Sequence, residues 1–330
     1  MAYRTIDLFA GIGGIRMGFE QAGFKTVFSN DFEPRCKPVF DANHGLPNLT
    51  VGDIRRIATF QIPQFDVLTG GFPCQAFSVA GEQKGFTDER GNLFFEIERI
   101  LRERSPKPVA LFLENVKNLK SHDGGRTYKR IYSILDGLGY KITEEILNSS
   151  DYGVPQNRER IYIVGFLSEK AREAFCFPDK IRRTRSVEDL LDKEVDPKYY
   201  YEGKGYEFTE RDGSKKPLYD KLKVAITKPF IPYQYRRYYV RQNKNAVCPT
   251  LTANMGSGGH NVPLVLDRKG VRKLTPRECL RFQGFPDSFA IPEGSRDSHI
   301  YKQAGNSVTV PVIAAIAKRM MTALATAGAK

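Results

Sequence analysis

Thr5-Ile6-Asp7-Leu8-Phe9-Ala10-Gly11-Ile12-Gly13-Gly14 is the stretch that decides the fold of this chain. Residues 5–9 form a short apolar run that predicts a strand, and apolar residues then recur at helical spacing from Ile15 to Ala22. Glycines between a strand and a helix let a ligand approach the backbone, and the free N–H groups of a helix N-terminus suit a carboxylate or phosphate. Taken alone, the pattern also fits a simple tight turn.

A second strand is predicted over residues 25–29, and Asp31 follows it about twenty residues after the glycine turn. That is the spacing at which doubly wound folds bind ribose hydroxyls through a carboxylate. Phe32 could then lie against an adenine, and Asp53 with Ile54 suits the amino group and ring face of that base. Either aspartate also fits a helix cap. Together these loops predict a nucleoside site, and a dinucleotide cofactor for hydride transfer fits it as well.

Alternating strands and helices continue beyond the glycine turn and predict an α/β fold with a mostly parallel, doubly wound sheet. Four further strands are predicted over residues 64–70, 108–113, 140–147 and 161–166. Amphipathic helices are predicted over residues 93–104 and 127–138, and two more helices over 274–285 and 311–324.

Composition restricts the partners and the cellular setting. The 51 Lys and Arg exceed the 38 Asp and Glu by 13, which favours an anionic partner, with nucleic acid ahead of a membrane surface. The five cysteines are scattered without CxxC spacing, so we expect no disulfide framework and no metal site. The chain shows no signal-peptide pattern and no uninterrupted apolar run of membrane-spanning length, so we expect a soluble cytoplasmic protein.

The texture of the chain changes near residue 180, where the basic run Lys180-Ile181-Arg182-Arg183-Thr184-Arg185 begins a region rich in Tyr, Lys and Pro. Its centre, Tyr233-Gln234-Tyr235-Arg236-Arg237-Tyr238-Tyr239-Val240-Arg241, interleaves arginines with aromatic residues as nucleic-acid-binding surfaces do. A solvated edge strand is the alternative. We predict a catalytic and cofactor-binding domain over residues 1–185, completed by residues 300–330, and a second, smaller domain over residues 186–299.

Three kinds of functional group follow the predicted strands: the Cys74 thiol, the Glu114 carboxyl group, and the guanidinium groups of Arg158 and Arg160. A thiolate can add to C6 of cytosine, while a carboxylic acid at N3 and an arginine at the exocyclic oxygen make that addition easier. The addition gives C5 carbanion character, so that it can accept a methyl group from S-adenosylmethionine. The alternative interpretation is that Cys74 has no catalytic role and is a small, buried hydrophobic residue.

The chain resembles the C5-cytosine DNA methyltransferases of bacterial restriction-modification systems over nearly its whole length, with motifs in the family's order. The matching stretches are Asp7-Leu8-Phe9-Ala10-Gly11-Ile12-Gly13-Gly14, Gly71-Phe72-Pro73-Cys74-Gln75-Ala76-Phe77-Ser78, Glu114-Asn115-Val116, Gln156-Asn157-Arg158-Glu159-Arg160, Arg277-Glu278-Cys279 with Gln283-Gly284-Phe285-Pro286, and Gly305-Asn306-Ser307-Val308.

The resemblance implies a doubly wound α/β methyltransferase fold with a Rossmann-like mixed sheet, S-adenosylmethionine as cofactor, and a second, smaller target-recognition domain. Many relatives have Glu and Trp where this chain has Asp31 and Phe32. The implied catalytic residues are Cys74, Glu114, Arg158 and Arg160. The implied cofactor residues are Phe9, Gly11, Gly14, Asp31, Phe32, Asp53, Ile54, Pro73, Leu93 and Asn306.

The implied substrate is double-stranded DNA, from which the target cytosine is flipped out. Residues 76–92 would form a lid in which Lys84 and Arg90 clamp phosphates. The pair Thr250-Leu251 matches a conserved pair of the family's recognition region, so both residues are also expected to contact DNA. Side chains suspected of reading base edges are Arg237, Arg241, Gln242, Asn243, Asn254 and His260, and the target is a short GC-rich palindrome.

Three alternatives stay open at the level of sequence. The same framework could methylate cytosine in RNA, with tRNA as the substrate. A nicotinamide oxidoreductase would explain the glycine turn and Asp31 but leaves Cys74, Glu114 and the arginines without a role. A non-catalytic DNA-binding protein would need neither Cys74 nor Glu114.

The resemblance also implies a monomer that acts in the bacterial cytoplasm, in association with the nucleoid. A cognate restriction endonuclease in the same system would not bind it stably, and no membrane contact is expected.

Overall fold

The computed structural model of the chain describes residues 2–73, 93–210, 212–236, 239–255 and 262–328. The chain forms two compact units. The first consists of Met1–Leu147, Glu159–Asp179 and Val312–Lys330, and the second of Asn148–Arg158 and Lys180–Pro311. Each unit is therefore assembled from separate stretches of the chain.

A seven-stranded sheet forms the centre of the first unit. Its strands are β1 Arg4–Leu8, β2 Lys25–Asp31, β3 Thr50–Val51, β4 Val67–Gly71, β5 Ala110–Val116, β6 Lys141–Asn148 and β7 Glu159–Phe166. They lie in the order β3-β2-β1-β4-β5-β7-β6. The strands from β3 to β5 are parallel to their neighbours, whereas β7 is antiparallel to β5.

The strand order reverses between β1 and β4. From β1 the chain builds outward to β2 and β3, and it then returns to place β4 and β5 on the other side of β1. In open α/β sheets, ligands bind at the carboxyl ends of the strands beside such a reversal. The glycine turn follows β1 and the predicted nucleophile segment follows β4, so both begin at this point.

Nine α-helices occur in the described chain. They are α1 Gly14–Gln21, α2 Lys37–Asn43, α3 Leu93–Glu103, α4 Arg126–Gly137, α5 Glu169–Ala174, α6 Leu218–Ala225, α7 Pro276–Phe282, α8 Asp297–Asn306 and α9 Val310–Ala327. The apolar faces of α3 and α4 are buried in the main core of the first unit together with side chains of β1, β4, β5 and β7. All six strands predicted from the sequence are present, as are the five predicted helices, which correspond to α1, α3, α4, α7 and α9.

The second unit contains a four-stranded antiparallel sheet in the order β11-β10-β12-β13, and a separate pair, β8 and β9. The bounds are β8 Glu207–Thr209, β9 Lys215–Pro217, β10 Tyr233–Arg236, β11 Tyr239–Gln242, β12 Leu264–Leu266 and β13 Val271–Lys273. Its core contains Phe208 of β8, Leu222 of α6 and three buried tyrosines, Tyr201, Tyr233 and Tyr235.

Helix α7 begins where the sequence predicts, at a capping box. The Thr275 hydroxyl accepts a hydrogen bond from the Glu278 amide at 3.1 Å, and the Glu278 carboxylate accepts one from the Thr275 amide at 2.7 Å. Glu278 also pairs with the buried guanidinium of Arg272 at 2.8 Å. One carboxylate therefore joins the start of α7 to β13.

The C-terminal helical stretch is strongly apolar. Within the described part of the chain, Asp297–Ala327 is long and apolar enough to cross a membrane, with a mean hydropathy of 1.5. However, 61% of the apolar window is buried inside the protein, which is what a core helix shows. In the first unit, α1 packs closely against α9, because a methyl group at Gly18 would lie 2.6 Å from the side chain of Ile313.

Candidate active site

The glycine turn after β1 is held open by backbone conformations that favour glycine. Gly11 and Gly13 have φ angles of 55° and 83°, in the left-handed region. Asp31, at the end of β2, accepts hydrogen bonds from the amides of Gly11 and Glu33, each at 2.7 Å. Burial raises the pKa of Asp31, while these two amides lower it. The carboxylate therefore ties the turn to the adjacent strand.

The side chain of His44 packs against the glycine turn. This residue was not identified from the sequence. Its Nε2 lies 3.1 Å from the carbonyl oxygen of Ile12, which can only accept, so Nε2 carries the proton. A methyl group at Gly13 would lie 2.1 Å from this nitrogen. Burial lowers the pKa of His44, which favours the neutral ring. A histidine thirty-odd residues away has no local signal that links it to the turn, since only the fold brings them together.

The predicted nucleoside residues lie at the ends of neighbouring strands. Phe32, directly after β2, is 74% exposed, so the face of a large aromatic ring is open. Gly52 donates its amide to the Asp31 carbonyl at 3.0 Å, which brings Asp53 beside the end of β2. The Asp53 carboxylate is bonded by Arg55, and this bond lowers its pKa.

Some of the remaining cofactor candidates lie deeper or further along the chain. The side chain of Ile54 is buried in the core of the first unit. Pro73 follows β4, and Leu93 is the first residue of α3. Asn306 is the last residue of α8, in the second unit, and its side chain is exposed.

The acid Glu114 lies on β5 directly beside Gly71, the last residue of β4. A methyl group at Gly71 would be 3.4 Å from the Oε2 atom of Glu114, so the glycine makes room for the carboxylate. The Nε atom of Arg160, on β7, lies 3.0 Å from the Oε1 atom of Glu114. The carboxyl group is buried, and Arg160 is its cationic neighbour.

Asn115 fixes the chain that leads to Cys74. Its Nδ2 donates to the Phe72 carbonyl at 2.8 Å, and its side chain is buried. The next residue of β5 after the acid thus anchors the backbone two residues before the predicted nucleophile. Cys74 itself lies outside the described residues, as do Lys84, Arg90, Arg237 and His260.

Arg158 has a different environment from Arg160. It belongs to the second unit, where its side chain is 3% exposed. Its guanidinium donates to the backbone carbonyls of Leu251 at 2.8 Å, Gly305 at 3.2 Å and Ser307 at 2.6 Å. The sequence predicted both arginines as one pair, but the structure gives each its own partners, and those of Arg158 are backbone segments of the recognition region and the last motif.

The pair Thr250-Leu251 is part of the same arrangement. Leu251 is 1% exposed, so its side chain is packed inside the unit, and its carbonyl accepts from Arg158. The Thr250 hydroxyl donates to the Asn157 carbonyl at 2.7 Å. A methyl group at Gly305 would lie 2.2 Å from the Thr252 backbone, so the last motif packs directly against this segment.

A large polar cleft lies within the second unit, with a volume of about 950 Å³. Five of the residues predicted to contact DNA line it: Arg241, Gln242, Asn243, Thr250 and Asn254. The other lining residues are Asn148, Ser150, Asn157, Arg183, Gln234, Arg236, Asn245, Val247, Pro249 and Thr252.

Solved structures identify the class of fold. A methyltransferase of Entamoeba histolytica, EhMeth, matches with a TM-score of 0.73 at 20% identity over 97% of this chain and 98% of that one. The Dnmt2 methyltransferase of S. pombe matches with a TM-score of 0.74 at 18% identity over 97% and 98%. The chain has a methyltransferase fold.

Sequence comparisons then identify the family. The model of the C-5 cytosine-specific DNA methylase family matches residues 3–322. Type II methyltransferase M.Bsp6I of Bacillus sp. (strain RFL6) is 49% identical over 319 residues, 95% of this chain and 97% of that protein. M.NlaX of Neisseria lactamica is 44% identical over 324 residues, 98% and 97% of the two chains. The chain therefore belongs to the C-5 cytosine-specific DNA methylase family and is a DNA cytosine-5-methyltransferase.

Proposed function

We propose that this methyltransferase attacks its target cytosine with Cys74 and activates the ring with Glu114 and Arg160. The observation that carries the proposal is the geometry at the end of β4. Glu114 lies beside Gly71, Arg160 lies 3.0 Å from the acid, and Asn115 holds the Phe72 carbonyl. Cys74 follows two residues later, so the thiol and the acid belong to neighbouring strand ends.

In this mechanism the Cys74 thiolate forms a bond to C6 of the cytosine. Glu114 protonates or hydrogen-bonds N3, and Arg160 donates to the exocyclic oxygen, so that negative charge displaced from the C5–C6 double bond is stabilised. S-adenosylmethionine supplies the methyl group that C5 receives. A water molecule then takes the C5 proton, and the C5–H electron pair re-forms the C5–C6 double bond as the bond from C6 to the Cys74 sulfur breaks. A proton given to N3 returns to Glu114, so the enzyme is regenerated.

The residues after β1, β2 and β3 suit S-adenosylmethionine. A methyl group at Gly11 or at Gly52 would meet no atom within 4 Å, which leaves an open cradle at the strand ends. Asp31 accepts two amide bonds, and a carboxylate has about four acceptor sites, so it can still accept from ribose hydroxyls. The exposed ring of Phe32 can cover the adenine. Gly14, at the start of α1, offers its helix N-terminus to the methionine carboxylate, and Phe9, Asp53, Ile54, Pro73 and Leu93 complete the proposed pocket of the first unit. Asn306, in the second unit, stays a predicted cofactor residue.

We assign catalysis to the first unit and recognition of double-stranded DNA to the second. The cleft there is lined by Arg, Asn, Gln and Thr side chains, the groups that bind phosphates and base edges. The contacts of Arg158 support a positioning role, in which it holds the backbone of Leu251 and the last motif in place. Lys84, Arg90, Arg237, Asn254 and His260 stay proposed DNA contacts.

The enzyme would act as a monomer on one base at a time and would flip the cytosine out of the duplex, at a cost of a few kcal/mol. The relatives are named Type II methyltransferases. We accordingly infer a restriction-modification role in the bacterial cytoplasm, beside a cognate endonuclease that it does not bind stably.

The test is bisulfite sequencing of plasmid DNA from cells that express the chain, beside cells that express Cys74→Ser. We expect protected cytosines in one short recurring context with the wild-type chain and full conversion with the variant. Retained protection with Cys74→Ser would refute the nucleophile. Full conversion in both samples, together with methyl labelling of tRNA by the wild-type chain, would show that RNA is the substrate.

A further inference from the structure

The hairpin formed by β10 and β11 concentrates polar side chains at the cleft of the second unit. Gln234 and Arg241 are directly opposite each other in this hairpin, and opposite residues project from the same face. Arg236, two residues further along β10, projects from that face too. Tyr233 and Tyr235 project from the other face into the core. The hairpin therefore presents Gln234, Arg236 and Arg241 together on its cleft side.

One oxygen atom holds both arginines. The Oε1 atom of Gln234 accepts a hydrogen bond from Nη2 of Arg241 at 2.7 Å and from Nη2 of Arg236 at 3.0 Å. Because a guanidinium has donors and no acceptor, the Gln234 atom that faces both must be the oxygen, and the amide nitrogen points away. A neutral side chain thus keeps two cations close together without cancelling their charge.

Asn243, which also lines the cleft, provides a second amide oxygen beside Arg241. Its Oδ1 lies 3.4 Å from Nη2 of Arg241, so Arg241 is oriented by two amide oxygens and Arg236 by one. Asn243 is 8% exposed, and its Nδ2 has no hydrogen-bond partner among the residues that the structure describes. Arg241 is therefore the more firmly held of the two arginines. The groups around it that can still bind a ligand, its own guanidinium and the Asn243 amide nitrogen, are hydrogen-bond donors.

The described lining of the cleft includes three arginines and no carboxylate. A ligand that satisfies these groups must be rich in acceptors at the point where Arg241 is held. In the major groove, guanine presents the two acceptors O6 and N7, whereas adenine and cytosine each present a donor and thymine a single acceptor. A phosphate is the other acceptor-rich group on DNA, but it carries no sequence information.

We propose that Gln234 positions Arg241 to read O6 and N7 of a guanine in the target site. The inference rests on the proposed recognition of duplex DNA by the second unit. Arg241 is the base-reading residue in this assignment, and Gln234 acts through it. Because Arg241 would contact one guanine, its contribution to DNA affinity should depend on the base at a single position of the target site.

The test measures equilibrium binding, which needs no chemistry, to duplexes that the wild-type chain selects from a random pool. Each guanine of the selected site is then replaced in turn by 7-deazaguanine, which lacks N7 and still pairs with cytosine. We expect wild-type binding to weaken about tenfold or more at one guanine position. Arg241→Ala should bind the unmodified duplex about 10- to 100-fold more weakly and be insensitive to 7-deazaguanine at that position.

Variants of Gln234 test whether this residue positions Arg241, separately from whether Arg241 contacts the guanine. Gln234→Leu removes the acceptor and should lose most of the discrimination between guanine and 7-deazaguanine, whereas Gln234→Glu keeps the acceptor and should retain it. Arg130→Ala, which removes a cation from the exposed surface of α4 in the first unit, is the control for charge alone. Thermal melting checks that each variant is folded.

Two results would overturn the inference. If Arg241→Ala weakens binding to all duplexes equally and every 7-deazaguanine penalty persists, Arg241 contacts phosphate. If Gln234→Leu discriminates as well as the wild-type chain does, Gln234 has no positioning role. Binding that discriminates as expected, without methylation of the selected duplex, would instead contradict the proposed function and leave the assignment of Arg241 intact.

Discussion

Glu114 and Arg160 form a pair, and the proposed mechanism gives each of the two residues a different role. The carboxyl group lies against Gly71 and 3.0 Å from the guanidinium, in a buried position. In the proposed mechanism, Glu114 would donate a hydrogen bond to N3 of the cytosine, and Arg160 would donate one to the exocyclic oxygen of the same ring. The sequence suggests that Arg158 is a catalytic residue like Arg160. In the structure, however, the Arg158 guanidinium donates its hydrogen bonds to three backbone carbonyls.

Replacing Glu114 tests the first of these roles. We expect Glu114→Gln to lower the methylation rate about 100-fold or more, because an amide cannot transfer a proton to N3. DNA affinity should be unchanged, since the side chain acts only on the flipped base. Single-turnover methylation and equilibrium binding, measured beside Glu114→Leu, check this. A rate for Glu114→Gln near that of the wild-type chain would mean that hydrogen bonding suffices and no proton is transferred.

Asp7 carries a second prediction at the scale of one residue. It is fully buried in β1; Thr69 lies 3.2 Å from its Oδ1, and its Oδ2 has no hydrogen-bond partner within the described part of the chain. Burial raises its pKa from 3.8 to about 7. Between these two values the folded protein holds a proton that the unfolded chain has lost, so stability falls as pH rises through this window.

We therefore expect Asp7→Asn to be more stable than the wild-type chain at pH 8, by a few kcal/mol in free energy of unfolding and by several degrees in Tm. At pH 5 the advantage should be much smaller, because Asp7 is then neutral in the folded protein. Denaturant unfolding across this pH range measures the difference. An advantage that does not change with pH would show that Asp7 keeps its ordinary pKa in the fold.

In the proposed function, the glycine turn is the element on which cofactor binding depends most directly. Gly13 combines a left-handed φ of 83° with the His44 ring at the place where a side chain would be. We expect Gly13→Ala to weaken S-adenosylmethionine binding about tenfold or more, because the backbone conformation alone costs about 1–2 kcal/mol. Calorimetric titration of the cofactor measures this.

Gly137→Ala is the matched control, since that glycine lies in α4 and its added methyl group would meet no atom within 4 Å. It should leave cofactor affinity unchanged and raise stability by up to about 1 kcal/mol. The double variant Gly13→Ala with His44→Ala separates the two causes, because it relieves the contact and keeps the backbone strain. Full recovery of affinity in the double variant would mean that the contact alone matters.

Elements were predicted well because their signals are local. The apolar runs and helical spacings marked six of the seven strands of the large sheet and five helices, α1, α3, α4, α7 and α9. The reversed direction of β7 was not predicted, since an apolar run carries no information about the strand beside it. For the same reason the sequence could not show that His44 lies under Gly13, or that Arg158 and Arg160 have different partners.

At the scale of the whole molecule, Arg158 is a side chain that connects parts of the second unit that lie far apart in the sequence. It joins the short stretch Asn148–Arg158 to Leu251 and to the end of α8 through charged hydrogen bonds. Arg158→Met keeps the length of the stem and removes the donors. We expect a loss on the order of 3 kcal/mol in free energy of unfolding, because three buried carbonyls lose partners.

Arg319→Met is the comparison for this experiment. The Arg319 guanidinium makes an exposed ion pair with Asp179 at 3.0 Å, and such pairs contribute less than about 1 kcal/mol. Denaturant unfolding of both variants, with a probe in each unit, shows whether the loss for Arg158→Met is confined to the second unit. Equal small losses for the two variants would contradict the positioning role of Arg158.

The contacts of Arg158 have a consequence for how specificity can be exchanged between relatives. Its partners are carbonyl oxygens of the main chain, and the Cys248 main chain likewise exchanges bonds with Pro155 and Asn157. Every residue type offers these atoms. A recognition segment transplanted from another member of the family in place of residues 182–247 would therefore meet the same anchors, and a chimera could acquire a new target while its catalytic strands stay unaltered.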